Sequence, residues 1–292
     1  DEQHRFGVKQ RAVLKSFGTP HLLSMTATPI PRTLAITVYG DQDLSIIDEM
    51  PAGRQVIITR LVPEGKRKDA YRWIEEQVRK GRQAFVICPL VEESDTLEVK
   101  SVTQEYAVLQ NEIFPDLKVG LLHGRMKQEE KDNIMQDFKD NKINILTSTS
   151  VIEVGIDVPN ASIMIIEGCE RFGLSQLHQF RGRVGRGVHQ SYCFLFTNSK
   201  SEGGSKRIKS MEQHSSGFKL AEIDLQLRGP GEVYGVKQSG IPELKVAKLT
   251  DFVTIEKARL SAIKIIEADP LLQRNPKLAE KIAEKEEIYV TD

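Results

Sequence analysis

Short, wholly apolar runs alternate with amphipathic stretches of helical period through the middle of this chain, and that alternation limits its fold more than any other feature. Val56-Ile57-Ile58 precedes a helix over residues 67–79, and Ala84-Phe85-Val86-Ile87-Cys88 precedes one over 99–113. Lys118-Val119-Gly120-Leu121-Leu122 precedes one over 128–139. Ile143-Asn144-Ile145-Leu146 and the runs at 162–166 and 192–196 supply further strands. Strands without a polar face need cover on both sides, and a helix between successive strands returns the chain so that they lie parallel. The expected class is therefore α/β with a buried parallel sheet. Right-handed crossovers then place functional loops at the carboxyl ends of the strands.

The flanks differ from this middle. His21-Leu22-Leu23-Ser24-Met25 reads as a strand entering the polar turn Thr26-Ala27-Thr28-Pro29. Pro31 opens a helical stretch to Tyr39, Leu44-Ser45-Ile46-Ile47 is a further strand, and residues 48–54 have linker composition. Residues 199–205 are rich in Ser and Gly, 206–214 form a short helix, and 225–232 are turn-rich. Helices over 254–268 and 276–287 follow, with Asp269-Pro270 between them. These changes divide the chain into 1–47, 48–198 and 199–292.

Composition narrows the class. Hydrophobic residues make up 39% and charged residues 28%, as in a water-soluble globular protein. No apolar run has the length of a membrane span, and no signal-peptide pattern is present. Cys88, Cys169 and Cys193 are odd in number and widely spaced, which predicts reduced thiols and a cytoplasmic setting. Cys88 and Cys193 lie in apolar runs and are expected in the core. The net charge of zero leaves nucleic-acid binding to local basic patches. The opening at Asp1, without Met, predicts a fragment.

Gln179-Phe180-Arg181-Gly182-Arg183-Val184-Gly185-Arg186 carries the strongest chemical signal, Q-x-x-G-R-x-G-R, with a solvated basic helix end as the plainer alternative. Guanidinium groups match phosphate with paired donors, and interleaved glycines let the backbone approach closely. An arginine finger inserted at a transferring phosphoryl group speeds reaction by roughly 10³ to 10⁵. Asp1-Glu2-Gln3-His4 places two acids where Asp1 can hold Mg2+ through water and Glu2 can orient and deprotonate an attacking water. A solvated terminus is the plainer reading of those acids.

Thr26 and Thr28 either link a phosphate sensor to a second ligand or cap a simple turn. Thr147 and Ser148 stand at a strand end, where hydroxyls donate to a nucleic-acid phosphate. Asp157, beyond Gly155, accepts from a ribose or braces an arginine; a plain hydrophilic loop is the alternative for this stretch. His123 and Arg125 close another strand, in a loop that touches DNA phosphates or simply starts a helix. His123 and His178 have no partners at metal-ligand spacing.

Together these segments resemble the motor motifs of superfamily 2 helicases. Asp1-Glu2-Gln3-His4 matches the Walker B position and Thr26-Ala27-Thr28 the coupling motif. Residues 147–157 and 179–186 match two ATP- and DNA-facing motifs of the second motor lobe. Residues 1–11, 26–32, 153–161, 171–179 and 224–232, with Gln238-Ser239-Gly240 after them, look like the RecG family.

That resemblance implies a RecA-like lobe of P-loop NTPase type at 48–198, preceded by the end of a first lobe at 1–47. A helical hairpin and extension follow at 199–292. It implies ATP and Mg2+ as cofactors and branched duplex DNA, meaning stalled forks and Holliday junctions, as partner, handled by a monomer. Arg183 and Arg186 would reach the ATP phosphates, with Gln3, His4, Gly155, Asp157 and Gln179 around the nucleotide. Thr26, Thr28, His123, Arg125, Thr147 and Ser148 would serve DNA contact and coupling. Arg207 and Arg228 fall where the hairpin's key arginines are expected, and Gln238 lies in the loop beyond.

The family's G-x-x-x-x-G-K-[ST] loop and wedge domain are absent from these residues, so the chain alone is expected to be inactive and its parent to be the enzyme. Three alternatives stand beside this reading. They are a transcription-repair coupling translocase, an RNA helicase of the same superfamily, and a DNA-binding lobe without catalysis.

Overall fold

Six parallel strands lie in the order β1-β6-β5-β2-β4-β3 in the computed structural model, which describes residues 21, 23–29, 45–51, 53–89, 95–150, 157–197, 202–228 and 252–289. They are β1 (Ile58–Val62), β2 (Gln83–Ile87), β3 (Val119–Leu122), β4 (Ile145–Ser148), β5 (Ala161–Ile166) and β6 (Tyr192–Phe196). Every described pairing is parallel. All residues of β2, β4 and β5 are buried, the two-sided burial that their apolar sequences demand.

Alternate side chains divide between two cores. On one face Ala84, Val86, Ile145, Ile163, Ile165 and Phe196 pack with α1 (Arg67–Arg79) and α2 (Asp95–Val108). Tyr71 meets Phe114 and Phe196 edge-on there, and Trp73 meets Tyr192 and Phe194. The last turn of α2 widens over Leu109–Ile113, where the Phe114 N–H donates to the Leu109 carbonyl at 2.7 Å. On the other face Phe85 packs at a tilt against Phe138 of α3 (Gln128–Lys139), and α4 (Leu174–Arg181) packs on β5.

Strand β1 is one of the two sheet edges. Helix α5 (Glu202–Gln213) covers it, and Glu212 Oε1 accepts from the Leu61 N–H at 2.8 Å, so that donor does not recruit another strand. Helix α6 (Gly217–Arg228) follows.

The chain forms two compact units, 1–29 with 49–220, and 30–48 with 221–292. In the second, α7 (Phe252–Ala268) and α8 (Pro276–Tyr289) flank a turn held by Asp269. The buried Asp269 carboxylate accepts from the Gln273 and Arg274 N–H groups at 2.9 and 2.7 Å. No helix among the described residues is long and apolar enough to cross a membrane.

The expected α/β class with a parallel sheet is the one found. Differences are local. Strand β1 begins at Ile58, because Val56 faces solvent. The described part of 21–25 and residues 45–47 form no strand. Residues 225–228 continue α6 instead of turning. Helix α4 lies between β5 and β6, a stretch to which the sequence pattern assigns no element. Cys88, Cys169 and Cys193 are all free and buried.

Candidate functional site

Helix α4 builds the site. Leu174, Leu177 and Phe180 recur on one face and are buried, and Gly173 caps the start, its N–H donating to Gln176 Oε1 at 3.3 Å. The helix leaves the carboxyl end of β5 and runs back along the sheet. The arginine loop that follows therefore arrives at the amino ends of β1, β5 and β6. This corrects the expectation that every motif sits at a carboxyl end: strand-to-helix loops do, but a helix-to-strand loop lands on the opposite edge.

The arginine loop is held from several sides. Gly185 has φ +79°, and a Cβ there would lie 3.0 Å from Ile57 Cγ1. At Gly187 a Cβ would meet the Pro159 carbonyl oxygen at 2.2 Å. Arg54 Nη2 donates to the carbonyls of Gly182 and Val184 at 3.3 and 3.4 Å. Arg183 is half-buried, and its N–H donates to the Phe180 carbonyl at 3.0 Å. Arg186 Nη1 lies 3.2 Å from Asp157 Oδ1, with the Asp157 side chain 65% exposed. Of the two roles open to Asp157, the described geometry is that of bracing an arginine.

Arg181, inside the same motif, is buried with 4% exposure. Its Nη1 donates to the Met211 and His214 carbonyls and its Nη2 to that of Ser215, each at 2.9 Å. It thereby caps the carboxyl end of α5. Nη2 also lies 3.0 Å from His178 Nδ1, and because guanidinium only donates, that ring nitrogen must accept. Burial, then the charges of Arg181 and Arg54, push His178 down to about 4, so it is neutral at pH 7. Nothing in the sequence distinguished Arg181 from its neighbours except its place on the buried face of α4.

Gln179 reaches across a long sequence separation, its Nε2 donating to Thr28 Oγ1 at 2.7 Å. Thr26 Oγ1 accepts from the Thr28 N–H at 3.1 Å, so Thr26 shapes the turn and Thr28 makes the outward contact.

The carboxyl edge holds the other expected residues. Thr147 and Ser148 belong to β4 and are fully buried, as is Thr149, and their hydroxyls have no hydrogen-bond partner among the described residues. His123 is half-buried and Arg125 exposed, in the turn after β3. On the same edge, at the end of β5, an unexpected polar group forms: Glu167 accepts from Tyr71 Oη at 2.9 Å and pairs with Arg67 at 2.9 Å. Arg67 also lies over the Phe196 ring, 4.7 Å from its centroid. Burial raises Glu167 while Arg67 and Tyr71 oppose that rise.

Arg207, on α5, donates from Nη2 to the Glu170 carbonyl at 2.6 Å. Arg228 ends α6, and its side chain is not described. Asp1, Glu2, Gln3, His4, Gly155 and Gln238 lie outside the described residues. No group of three or more metal-ligating side chains gathers among the described residues. Guanidinium groups on a backbone that glycines bring close are chemistry of the kind that binds polyphosphate, and of the three arginines Arg186, held by one carboxylate, is the most readily exchanged.

Two families match the chain: the helicase conserved C-terminal domain over residues 65–188, and the ATP-dependent DNA helicase RecG, domain 3, C-terminal, over 214–285. ATP-dependent DNA helicase RecG of Synechocystis sp. is 52% identical over 289 residues, 98% of this chain and 35% of that protein. The Bacillus subtilis protein of the same name is 51% identical over 271 residues, 92% of this chain and 40% of that protein. A solved structure of RecG bound to a three-way DNA junction is 45% identical with a TM-score of 0.67, covering 88% of this chain and 33% of that one. The chain thus spans well under half the length of these relatives.

Proposed function

We propose that this chain, which belongs to the RecG family and corresponds to its C-terminal portion, supplies the second motor lobe of an ATP-driven translocase that remodels branched DNA. Its described sheet is the RecA-like C-terminal lobe of a helicase. The observation that carries the proposal is the arginine loop, fixed by Arg54, Ile57 and Pro159, with Arg186 held at the surface on one exposed carboxylate.

The proposed division is 1–47 for the end of the first lobe, 48–198 for the second lobe, and 199–292 for the hairpin and extension. Bound ATP with Mg2+ would supply the phosphoryl group whose departure drives the cycle. Arg183 and Arg186 would hold its phosphates. Arg186 has only to exchange Asp157 for a phosphate, because an exposed ion pair contributes about 0–1 kcal/mol and lets go easily. Asp1 and Glu2 would serve the metal and the attacking water, with Gln3, His4, Gly155 and Gln179 lining the nucleotide. The Gln179–Thr28 hydrogen bond supports a link between the nucleotide side and the coupling turn.

His123 and Arg125 would meet DNA phosphates at the carboxyl edge. Thr147 and Ser148 would do so once their buried hydroxyls are uncovered. Arg207, Arg228 and Gln238 would carry lobe motion toward the DNA. The working protein would be a cytoplasmic monomer acting on forks and Holliday junctions. The 292 residues hold no G-x-x-x-x-G-K-[ST] loop, so turnover would need the rest of the parent.

The test is Arg186→Ala in the parent protein. DNA-stimulated ATP hydrolysis should fall about 10³-fold or more, the scale of a lost arginine finger, while forked-DNA binding persists. Retained stimulation contradicts the motor reading. A wild-type parent that binds forks without any turnover supports a purely binding lobe instead.

A further inference from the structure

Residues 54–58 run along the arginine loop and touch it repeatedly. Arg54 Nη2 donates to the carbonyls of Gly182 and Val184, which flank Arg183. Val56 O accepts from Gln190 Nε2 at 2.8 Å, and the Ile58 N–H donates to the Ser191 carbonyl at 3.0 Å. Ile57 fills the space under Gly185. Arg54 is itself fixed, its N–H donating to the Pro51 carbonyl at 3.2 Å across a turn where Gly53 has φ +80°.

The chemistry of Arg54 is specific. Both carbonyls lie just past the end of α4, at its C-cap Gly182 and at Val184 two residues beyond, where no intrahelical donor reaches them. A single guanidinium nitrogen gathers both and so fixes the curl of the peptide around Arg183. The arrangement carries a cost, because Arg54 Nε is buried and has no hydrogen-bond partner among the described residues. A residue kept only for capping would do better exposed, where water completes its bonding. Its charge also adds to that of Arg181, Arg183 and Arg186, raising the local positive potential an incoming polyphosphate would meet.

We infer that Arg54 is a positioning residue for the reaction proposed above, holding Gly182-Arg183-Val184 in the curl that aims Arg183 and Arg186 at the nucleotide. This rests on the motor reading. Arg54 touches the loop backbone and no reacting atom, so its removal acts through the arginines it aims.

The experiment uses the intact parent with Arg54→Ala and Arg54→Lys, beside wild type and Arg186→Ala. DNA-stimulated kcat should fall about 10- to 100-fold in Arg54→Ala, the scale for reacting groups displaced by an ångström, with KM for ATP nearly unchanged. Millimolar guanidinium should restore part of kcat in Arg54→Ala and none in Arg186→Ala. Arg54→Lys should be intermediate, since an ammonium keeps the charge but not the planar fork. Unchanged kcat in Arg54→Ala overturns the inference. So does a fall in kcat that follows a fall in Tm and is not rescued by guanidinium, because Arg54 is then only a helix cap. Failure of the motor reading looks different: wild type lacks DNA-stimulated turnover, or Arg186→Ala keeps it.

Discussion

At the buried end of the arginine motif, Arg181 spends its donors on three carbonyls of one helix terminus; at the exposed end, Arg186 meets a single carboxylate that water also reaches. Residue type and motif are the same, and the surroundings are opposite. A buried guanidinium that satisfies several acceptors cannot be withdrawn without stranding them, whereas an exposed ion pair exchanges at little cost. The motif therefore joins a fixed structural cation to an exchangeable one through a glycine-rich turn. Repetition of arginine in the sequence conceals this division.

The contrast is sharpest in turnover, where Arg186→Ala carries the loss given above and should cost at most about 1 kcal/mol of stability. Arg181→Ala should do the reverse, lowering the stability of the lobe by about 3–5 kcal/mol as the α5 terminus loses its cap and buried carbonyls lose their donors. Urea midpoints of the two variants compare them directly. Equal midpoints would break the division between the two arginines.

His178 gives the next effect, through pH. Its folded pKa of about 4 lies below the ordinary 6.5, so as pH falls the unfolded chain binds the proton first. The stability it contributes is complete above pH 6.5 and is lost between there and about pH 4, amounting to at most about 3 kcal/mol. Protonation also removes the acceptor that Nδ1 offers to Arg181 and sets two cations together. His178→Gln keeps an acceptor and does not titrate. Its urea midpoint should change less than that of wild type between pH 7.5 and pH 5, and equal slopes would show that His178 does not govern the acid limb.

Strand β6 and helices α1 and α3 appear at the bounds their residues suggested, because wholly apolar strands and strongly amphipathic helices leave few alternatives. Helix α4 is faint in the sequence for a physical reason: at 8 residues it is too short to show a sustained period, and its last three residues fall in the arginine motif. Leu174, Leu177 and Phe180, with Gln176 placed to cap Gly173, were the available signal. The pairing of Asp157 with Arg186 was legible as one of two options. The contacts of Arg54 with Gly182 and of Thr28 with Gln179 were not, because no local rule of spacing connects residues so far apart in sequence. Their register is set by how α4 and the segment before β1 meet on the sheet. The amino-edge placement of the loop was derivable, for a helix following a strand must end at the edge where the strand began.

The smallest effect tests how firmly the exchangeable end is held. Gly187 and Gly65 both lack a positive φ, so neither needs glycine for backbone conformation. Around Gly65 a Cβ meets nothing within 4 Å, but at Gly187 it would meet the Pro159 carbonyl oxygen at 2.2 Å. That oxygen is main chain and cannot rotate aside, so the loop must move. Gly187→Ala should destabilise by about 1–3 kcal/mol, the range for overpacking, while Gly65→Ala should stay within about 0.5 kcal/mol. Because Arg186 is the preceding residue, the displaced loop should also lose DNA-stimulated turnover in the parent beyond what its stability explains. If Gly187→Ala matched Gly65→Ala in both midpoint and turnover, the arginine loop would be loosely held, and Arg186 would owe its position to Asp157 alone.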